Sequence, residues 1–488
     1  MRWLLLALTL GTNSVALAQT PGPEVVPFIA VSAPAFVLRH VRVIDGTGRP
    51  ALQDQSVVVV GGRIVSLGAA DSTKVPEGAQ TLDYPGFTVL PGLVGMHDHL
   101  YYVTSAALQR PPDGQVVQPG IVVPEIPYTA PRLYLAAGVT TLRTTGSLEP
   151  YADLKVQRRI DAGLMPGPRV LVTAPYLEGK GTRFAQMHEL AGPEEARRLV
   201  DYWAAEGMTS FKAYQNISRA ALSAAIDQVH HHHLKVTGHL CSVTWPEAIA
   251  LGIDDFEHGP VYSDSELVTD KKPDQCPPGR AITESWVRAD MTSAPVQALM
   301  ASLLSRHVAV TSTLPVFEAL VNGRPPVQRR FLEALAPGAR ESYLTARALL
   351  SDAGGRPGLP ELALRREMDF ELAFARAGGL LLAGPDPTGN GGVLPGFGDQ
   401  REVELLVEAG FKPVEAIQVA TLNGARYLGE ETEIGTVASG KRADLVLVKG
   451  DPSTNIADIE NVELVFKQGV GYDSRKLIES VRGQVGIR

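Results

Sequence analysis

Two histidines one residue apart are the first residues whose spacing could do chemistry, in the run Pro91-Gly92-Leu93-Val94-Gly95-Met96-His97-Asp98-His99. On an extended strand side chains alternate faces, so His97 and His99 point one way and Asp98 the other. Two imidazoles on one face can share a cation. With 11 histidines in the chain, such a pair also arises by chance, and its weight comes from other strand ends. Phe211-Lys212-Ala213-Tyr214, Thr237-Gly238-His239, Phe256-Glu257-His258-Gly259 and Ala383-Gly384-Pro385-Asp386 each put one potential ligand where a strand-like run meets a loop. Six such groups on one rim would be costly to bury without metal or mutual pairing. Tyr101 and Tyr102 follow the histidine pair, and Tyr176 and Tyr214 stand at strand ends. Arg143 ends another strand and could pair with a carboxylate bidentately. These five are the candidates for substrate contact.

The elements that must position these groups alternate between strand-like and helical runs, which argues for α/β with parallel strands. Eight strands are expected, at Thr88–Val94, Thr140–Thr144, Val170–Thr173, Ser210–Ala213, Lys235–Gly238, Asp254–Glu257, Val308–Thr313 and Leu380–Gly384. Amphipathic stretches such as Pro193–Glu206 and Arg219–His232 fall between them. A count of eight suits a closed (β/α)8 TIM-like barrel over 88–432, although a doubly wound sheet gives similar local patterns. Two long segments, Tyr101–Pro131 and Tyr262–Pro295, follow strands and are expected to wall or cover the pocket. Strand-rich runs at both ends, with turn signals at Asp45-Gly46-Thr47-Gly48 and Gly61-Gly62, suggest one small β-sandwich domain built from residues 36–87 and 433–488.

The 488 residues carry a formal net charge of −8 and no basic block, which argues against nucleic acid as a partner. Arg2, the apolar run Trp3–Leu10 and the small-residue site Ala16-Leu17-Ala18 read as a signal peptide over 1–18. No later run is long and apolar enough for a membrane anchor. The expectation is a chain exported to a bacterial periplasm or beyond, with residues 19–35, carrying Pro21, Pro23, Pro27 and Pro34, as a linker. Export permits a disulfide between the two cysteines, Cys241 and Cys276. The tract His230-His231-His232-His233 ends a helical pattern on the face opposite the rim and is set aside as a ligand source.

In order along the chain, "VRVIDGTG", "TVLPGLVGMHDHL", "LAAGVTTLR", "FKAY", "FEHG", "LLAGPDPTG", "REVELLVEAGFKPVEAIQVATLNGARYLG" and "EIGTVASGKRADLVLVKGDP" resemble the amidohydrolase superfamily, in particular its imidazolonepropionase-like and prolidase-like members. The resemblance spans nearly the whole chain after the leader. It implies that His97, His99 and Asp386 hold one divalent ion, His239 and His258 a second, and that Lys212, carboxylated by carbon dioxide, bridges the pair, with zinc as the expected metal. An unmodified Lys212 would instead favour one ion held by His97, His99, His239 and Asp386. Two departures stand out: Pro385 replaces a threonine common before the aspartate, and Gly398-Asp399-Gln400 occupies a place where relatives often carry a histidine.

The implied activity is hydrolysis of a C–N bond in a small amide or peptide, such as a dipeptide or N-acyl amino acid. Zinc lowers the pKa of bound water toward ~7, and Asp386 is the expected general acid–base. The alternatives are a one-ion hydrolase of cyclic amides, an esterase or lactonase using the same water, and, outside catalysis, an exported binding protein on a barrel scaffold. The oligomeric state is left open, a homo-oligomer included.

Overall fold

The computed structural model describes residues 21–102, 123–182, 184–350, 358–388 and 391–486; the expected signal peptide lies outside them. Six strands come first: β1 (Ile29–Val31), β2 (Ala35–Val43), β3 (Leu52–Val60), β4 (Arg63–Ala69), β5 (Gln80–Asp83) and β6 (Phe87–Pro91). Four consecutive valines drive β3, because branched side chains fit a pleated, half-buried surface. Gly61 and Gly62, both at positive φ, turn it into β4.

Eight parallel strands follow: β7 (Leu93–Asp98), β8 (Val139–Thr144), β9 (Arg169–Leu171), β10 (Ser210–Ala213), β11 (Lys235–Gly238), β12 (Asp255–Glu257), β13 (Ala309–Ser312) and β14 (Leu381–Ala383). They form two sheets whose spatial order matches chain order, β7-β8-β9 and β10-β11-β12-β13-β14. A parallel bridge from Thr173 to Ser210 links the two. At the other end, Asp386 N–H donates to the His97 carbonyl (3.1 Å). Gly384 permits that approach, since a Cβ there would lie 2.3 Å from the His97 nitrogen. The fold is therefore α/β with parallel strands, and helices such as Arg219–His231 bury their apolar faces (Leu222, Ile226, Val229) against them.

The last strands, β15 (Leu445–Lys449), β16 (Val462–Lys467) and β17 (Val470–Asp473), return to the first six. Both chain ends share one nine-stranded sheet, ordered β1-β17-β16-β15-β6-β2-β3-β4 with β5 against β2. Phe36 and Phe466 stack at its core (4.9 Å).

Two expectations change. The run Thr88–Val94 is not one strand: β6 belongs to the composite sheet and β7 to the parallel one. The change of sheet happens at Gly92, whose N–H donates to the Asp444 carbonyl and where a Cβ would meet Thr140 Oγ1 at 2.0 Å. The expected linker is docked from Gly22 onward, where its N–H donates to the Gly163 carbonyl. Val25, Phe28 and Val31 are buried, and β1 pairs with β17, because three apolar side chains outweigh the extended bias of the prolines.

Candidate metal centre

The ends of β7, β10, β11, β12 and β14 bring all six rim residues together. His97 Nδ1 lies 2.6 Å from Glu257 Oε2. A carboxylate accepts, so Nδ1 carries the hydrogen and Nε2 is left with its lone pair facing the site. That Nε2 stands 3.7 Å from Asp386 Oδ1 and 3.4 Å from Lys212 Nζ. His99 Nε2 is 3.4 Å from the same Asp386 oxygen, and His258 Nδ1 is 3.8 Å from Oδ2 and 2.8 Å from Thr313 Oγ1. His239 packs its ring on His258 (4.3 Å), with its Nε2 3.0 Å from the Gln215 side-chain amide. Donor atoms of His97, His258 and Asp386 all lie within 4.8 Å of one another.

Burial sets the protonation states. It pushes all four imidazoles down, His239 to about 3, so they are neutral lone-pair donors at pH 7. Burial would raise Asp386, but the imidazoles of His97 and His99, with Lys212, prevail and hold its carboxyl well below the usual range. Burial also lowers Lys212 to about 8, while Glu257 and Asp386 resist. Neutral imidazoles around an ionised carboxylate are what a divalent cation requires. His258 (φ +76°) and Asp386 (φ +45°) both sit in the left-handed region, a strain that concentrates at functional sites.

Above the rim opens a cavity of about 250 Å³, lined by His99, Lys212, His239, His258 and Asp386 below and largely by aromatic and apolar side chains above. Tyr101, Tyr176 and Tyr214 line it, as do Phe184 and Phe317. Arg143 and Tyr102 do not, and their expected substrate contact is corrected. The Arg143 guanidinium points beneath the rim, donating to the Met96 carbonyl (2.8 Å), Asp255 (2.9 Å) and Glu257 (2.8 Å). Tyr102 is turned away and donates to the Gly391 carbonyl (3.2 Å). The segment Tyr262–Pro295 is another correction: its helix Gly279–Arg288 buries Ile282 and Trp286, the latter edge-on to Phe370, and contributes no residue to the cavity lining. Of the other long segment, residues 103–122 lie outside the described residues. Asp399 and Gln400, where relatives often carry a histidine, are buried below. Asp399 accepts from Gly396 N–H, and Gln400 donates to the carbonyls of Ala137 and Ile459. The tract at His230–His233 is remote, with His230 beside Asp254 and His232 beside Asp201.

Sequence reasoning missed Glu257, Gln215 and Thr313, which hold His97, His239 and His258. Glu257 carried a readable signal: Asp255 and Glu257 alternate onto one face of a strand, where burial demands a cationic partner. Cys241 and Cys276 form a disulfide (Cα–Cα 4.9 Å), and both sulfurs lie against the Gln215 carbonyl. The bridge thus stands behind the residue that touches His239.

Residues 396–471 match the family model described as "Amidohydrolase family". Among curated proteins, adenine deaminase 3 of Rhizobium meliloti is 39% identical over 69 residues, 14% of this chain and 11% of its own length. The 5-methylthioadenosine/S-adenosylhomocysteine deaminase of Moorella thermoacetica is 65% identical over 34 residues, 7% of this chain and 8% of its own length. The chain thus aligns with only about a tenth of these relatives. Among solved structures, a Xaa-Pro dipeptidase with bound methionine in the active site superimposes with TM-score 0.63 at 20% identity, covering 90% of this chain and 100% of that one. A bottromycin amidohydrolase gives TM-score 0.66 at 20% identity, covering 94% of each. At such identity these two speak for the fold. The matched segment is similar to the amidohydrolase family, and the fold is shared with these solved structures.

Proposed function

We propose that this chain is a metal-dependent hydrolase that cleaves the C–N bond of a small amide, such as a dipeptide or an N-acyl amino acid. The observation that carries the reading is a buried, ionised Asp386 among neutral imidazoles at the floor of a cavity with room for a small substrate. The deaminases matched over short segments are named for C–N chemistry of the same broad class, and the superimposed dipeptidase and amidohydrolase for amide cleavage.

In this reading the eight parallel strands close into a barrel over 88–432, with the Asp386–His97 backbone bond as its seam, and the composite sheet is a small β-sandwich beside it. The nitrogen and carboxylate donors fit zinc. His97, His99 and Asp386 would hold one ion, His239 and His258 a second. Lys212 would bridge them as a carbamate, for which an amine lowered to about 8 is prepared. When bound, such cations make water nucleophilic at neutral pH and polarise the scissile carbonyl. The side chains do the rest. Asp386, already ionised, accepts the water proton and delivers it to the leaving nitrogen. Glu257 fixes the tautomer and direction of His97, and Thr313 holds the direction of the His258 ring. Export belongs to the same reading, since the Cys241–Cys276 bridge suits an oxidising compartment; N-terminal sequencing of secreted protein tests cleavage before Gln19.

Elemental analysis alongside a screen of dipeptides and N-acyl amino acids tests the function. Two zinc equivalents and amide turnover that is lost on chelation are expected; full activity in metal-stripped protein overturns the reading. For Lys212, isotope-labelled bicarbonate should give a carbamate signal that grows from about pH 6 to about pH 9 as the amine loses its proton.

A further inference from the structure

Beyond Ala213 and Gly238 the strands β10 and β11 part, and the loops that follow are tied together at one backbone carbonyl. That carbonyl belongs to Gln215. It accepts from the Ser242 N–H (3.0 Å), and the sulfurs of Cys241 and Cys276 lie 3.5 and 3.0 Å from it. The Gln215 side-chain amide reaches His239 Nε2 (3.0 Å). One residue therefore touches the disulfide with its backbone and a metal-centre imidazole with its side chain.

Cys276 comes from the segment after β12, which crosses the loops of both strands. Lys271 Nζ donates to the Ser242 carbonyl (2.7 Å), and Asp274 accepts from the Arg219 N–H (2.6 Å). Residues 272–275 and 278–280 are exposed, so solvent reaches the half-buried Cys276. Without the bridge the lysine and aspartate ties remain, while the packing on the Gln215 carbonyl is lost.

A neutral imidazole has one ring hydrogen, and the group opposite one nitrogen decides where it sits. A side-chain amide can present either its NH2 or its oxygen. With the oxygen at Nε2, that nitrogen keeps the hydrogen and Nδ1 keeps the lone pair a cation needs. His97 and His99 are held elsewhere, His97 by Glu257 and His99 through its backbone by the Tyr134 hydroxyl.

We infer that the Cys241–Cys276 bridge fixes Gln215 and that Gln215, as a positioning residue, fixes the His239 ring. Opening the bridge then weakens the ion at His239 and leaves the one at His97 and His99. Opening takes two electrons from an external phosphine. The phosphine attacks one sulfur, the S–S bond breaks, and water converts the phosphonium to phosphine oxide while its two hydrogens end on the two thiols. The inference rests on the two-ion reading above.

The test titrates zinc against a competing chelator in the wild type, in Cys241→Ser with Cys276→Ser, in Gln215→Leu and in the triple variant. None of these substitutions adds a thiol that could bind the metal. Outer partners of a ligating histidine are worth about 10- to 100-fold in affinity, so one binding step should weaken by that much in Gln215→Leu and by about tenfold in the double serine variant. The other step should stay within about twofold of the wild type, and the triple variant should bind no more weakly than Gln215→Leu, because the bridge acts through that amide. A readout without metal is the ring-15N spectrum of histidine-labelled, metal-free protein: His239 should show one tautomer, and a mixture after phosphine treatment. Unchanged binding in the double serine variant, equal weakening of both steps, or losses that multiply in the triple variant would each overturn the inference. A wild type that binds fewer than two ions fails the two-ion reading instead, and a His239 tautomer unmoved by reduction then rejects the coupling independently.

Discussion

Two clusters of charged and polar side chains lie one above the other at the centre of the parallel strands, and they are built differently. In the lower one, Arg143 donates to a carbonyl and two carboxylates, while Thr237 donates to Glu257 and Thr311 to Asp255. Both carboxylates are paired, while Nη1 of the Arg143 guanidinium has no partner among the described residues. In the upper one, three imidazoles stand 3.4 to 3.8 Å from Asp386, with the His239 ring packed on His258, and none of the three closes to ion-pair contact with Asp386. Carboxylates paired with an arginine hold strands in place, whereas neutral imidazoles facing an ionised carboxylate leave lone pairs that suit a cation.

The sharpest way to break the comparison is at Asp386. Asp386→Asn keeps the shape and a ligating oxygen but removes the base, so kcat should fall roughly 10³- to 10⁴-fold, about 4–5.5 kcal/mol of barrier, while the thermal midpoint stays close to that of the wild type. Near-normal turnover would empty the upper cluster of its chemical role. Arg143→Ala should do the reverse. Two carboxylates at full burial lose their cation, and unfolding by urea should show a loss of about 3–5 kcal/mol. The pH dependence has a definite sign. Burial raises the Asp255 and Glu257 carboxyls and Arg143 pulls them down. Without Arg143 they rise further, so the variant's folded state holds its protons to higher pH than the wild type's, and the deficit grows as pH rises above about 7, where Asp255 ionises in the wild type. A deficit that shrinks over that range would show that Arg143 holds no such pair.

How much of this could be read in advance follows from the range of the interactions. The six rim residues were legible because each sits at a strand end inside its own short motif. Their second partners were not. Arg143 looks from sequence like a free strand-end cation, and only pairing with β12, 112 and 114 residues away, turns it downward. The Thr88–Val94 run reads as one apolar strand because nothing local marks Gly92; the break is imposed by Asp444 and Thr140 from distant segments. Phe184 stands in a loop and Phe317 on the five-residue helix Leu314–Glu318, too short for a periodicity, so their place in the cavity wall left no pattern to detect.

A smaller effect is expected at the disulfide, which belongs to the upper cluster through Gln215. Its bridge spans a sequence separation of 35 residues, and chain-entropy reasoning gives about 2–4 kcal/mol for opening a loop of that size. Reduction, or Cys276→Ser paired with Cys241→Ser, should lower the urea midpoint accordingly and leave the arginine cluster's contribution unchanged. Equal sensitivity of the Arg143→Ala deficit to reduction would mean that the two regions are not separable.

The smallest effect tests the one contact that joins them. Glu257 accepts from Arg143 and Thr237 below and from His97 Nδ1 above. In Glu257→Gln the side chain keeps its size and one accepting oxygen, so the lower cluster loses a charge but retains most of its packing. Above, the amide competes less well for the His97 hydrogen, the tautomer with Nε2 free is less favoured, and the imidazole becomes a weaker donor to a cation. Outer partners of this kind are worth 10- to 100-fold in metal affinity, about 1.4–2.7 kcal/mol. Zinc titration against a competing chelator should therefore show a weaker first site, while Tyr176→Phe, which leaves His97 untouched, shows none. If Glu257→Gln bound zinc like the wild type and lost only stability, Glu257 would belong wholly to the lower cluster and the boundary between the two would lie at His97 itself.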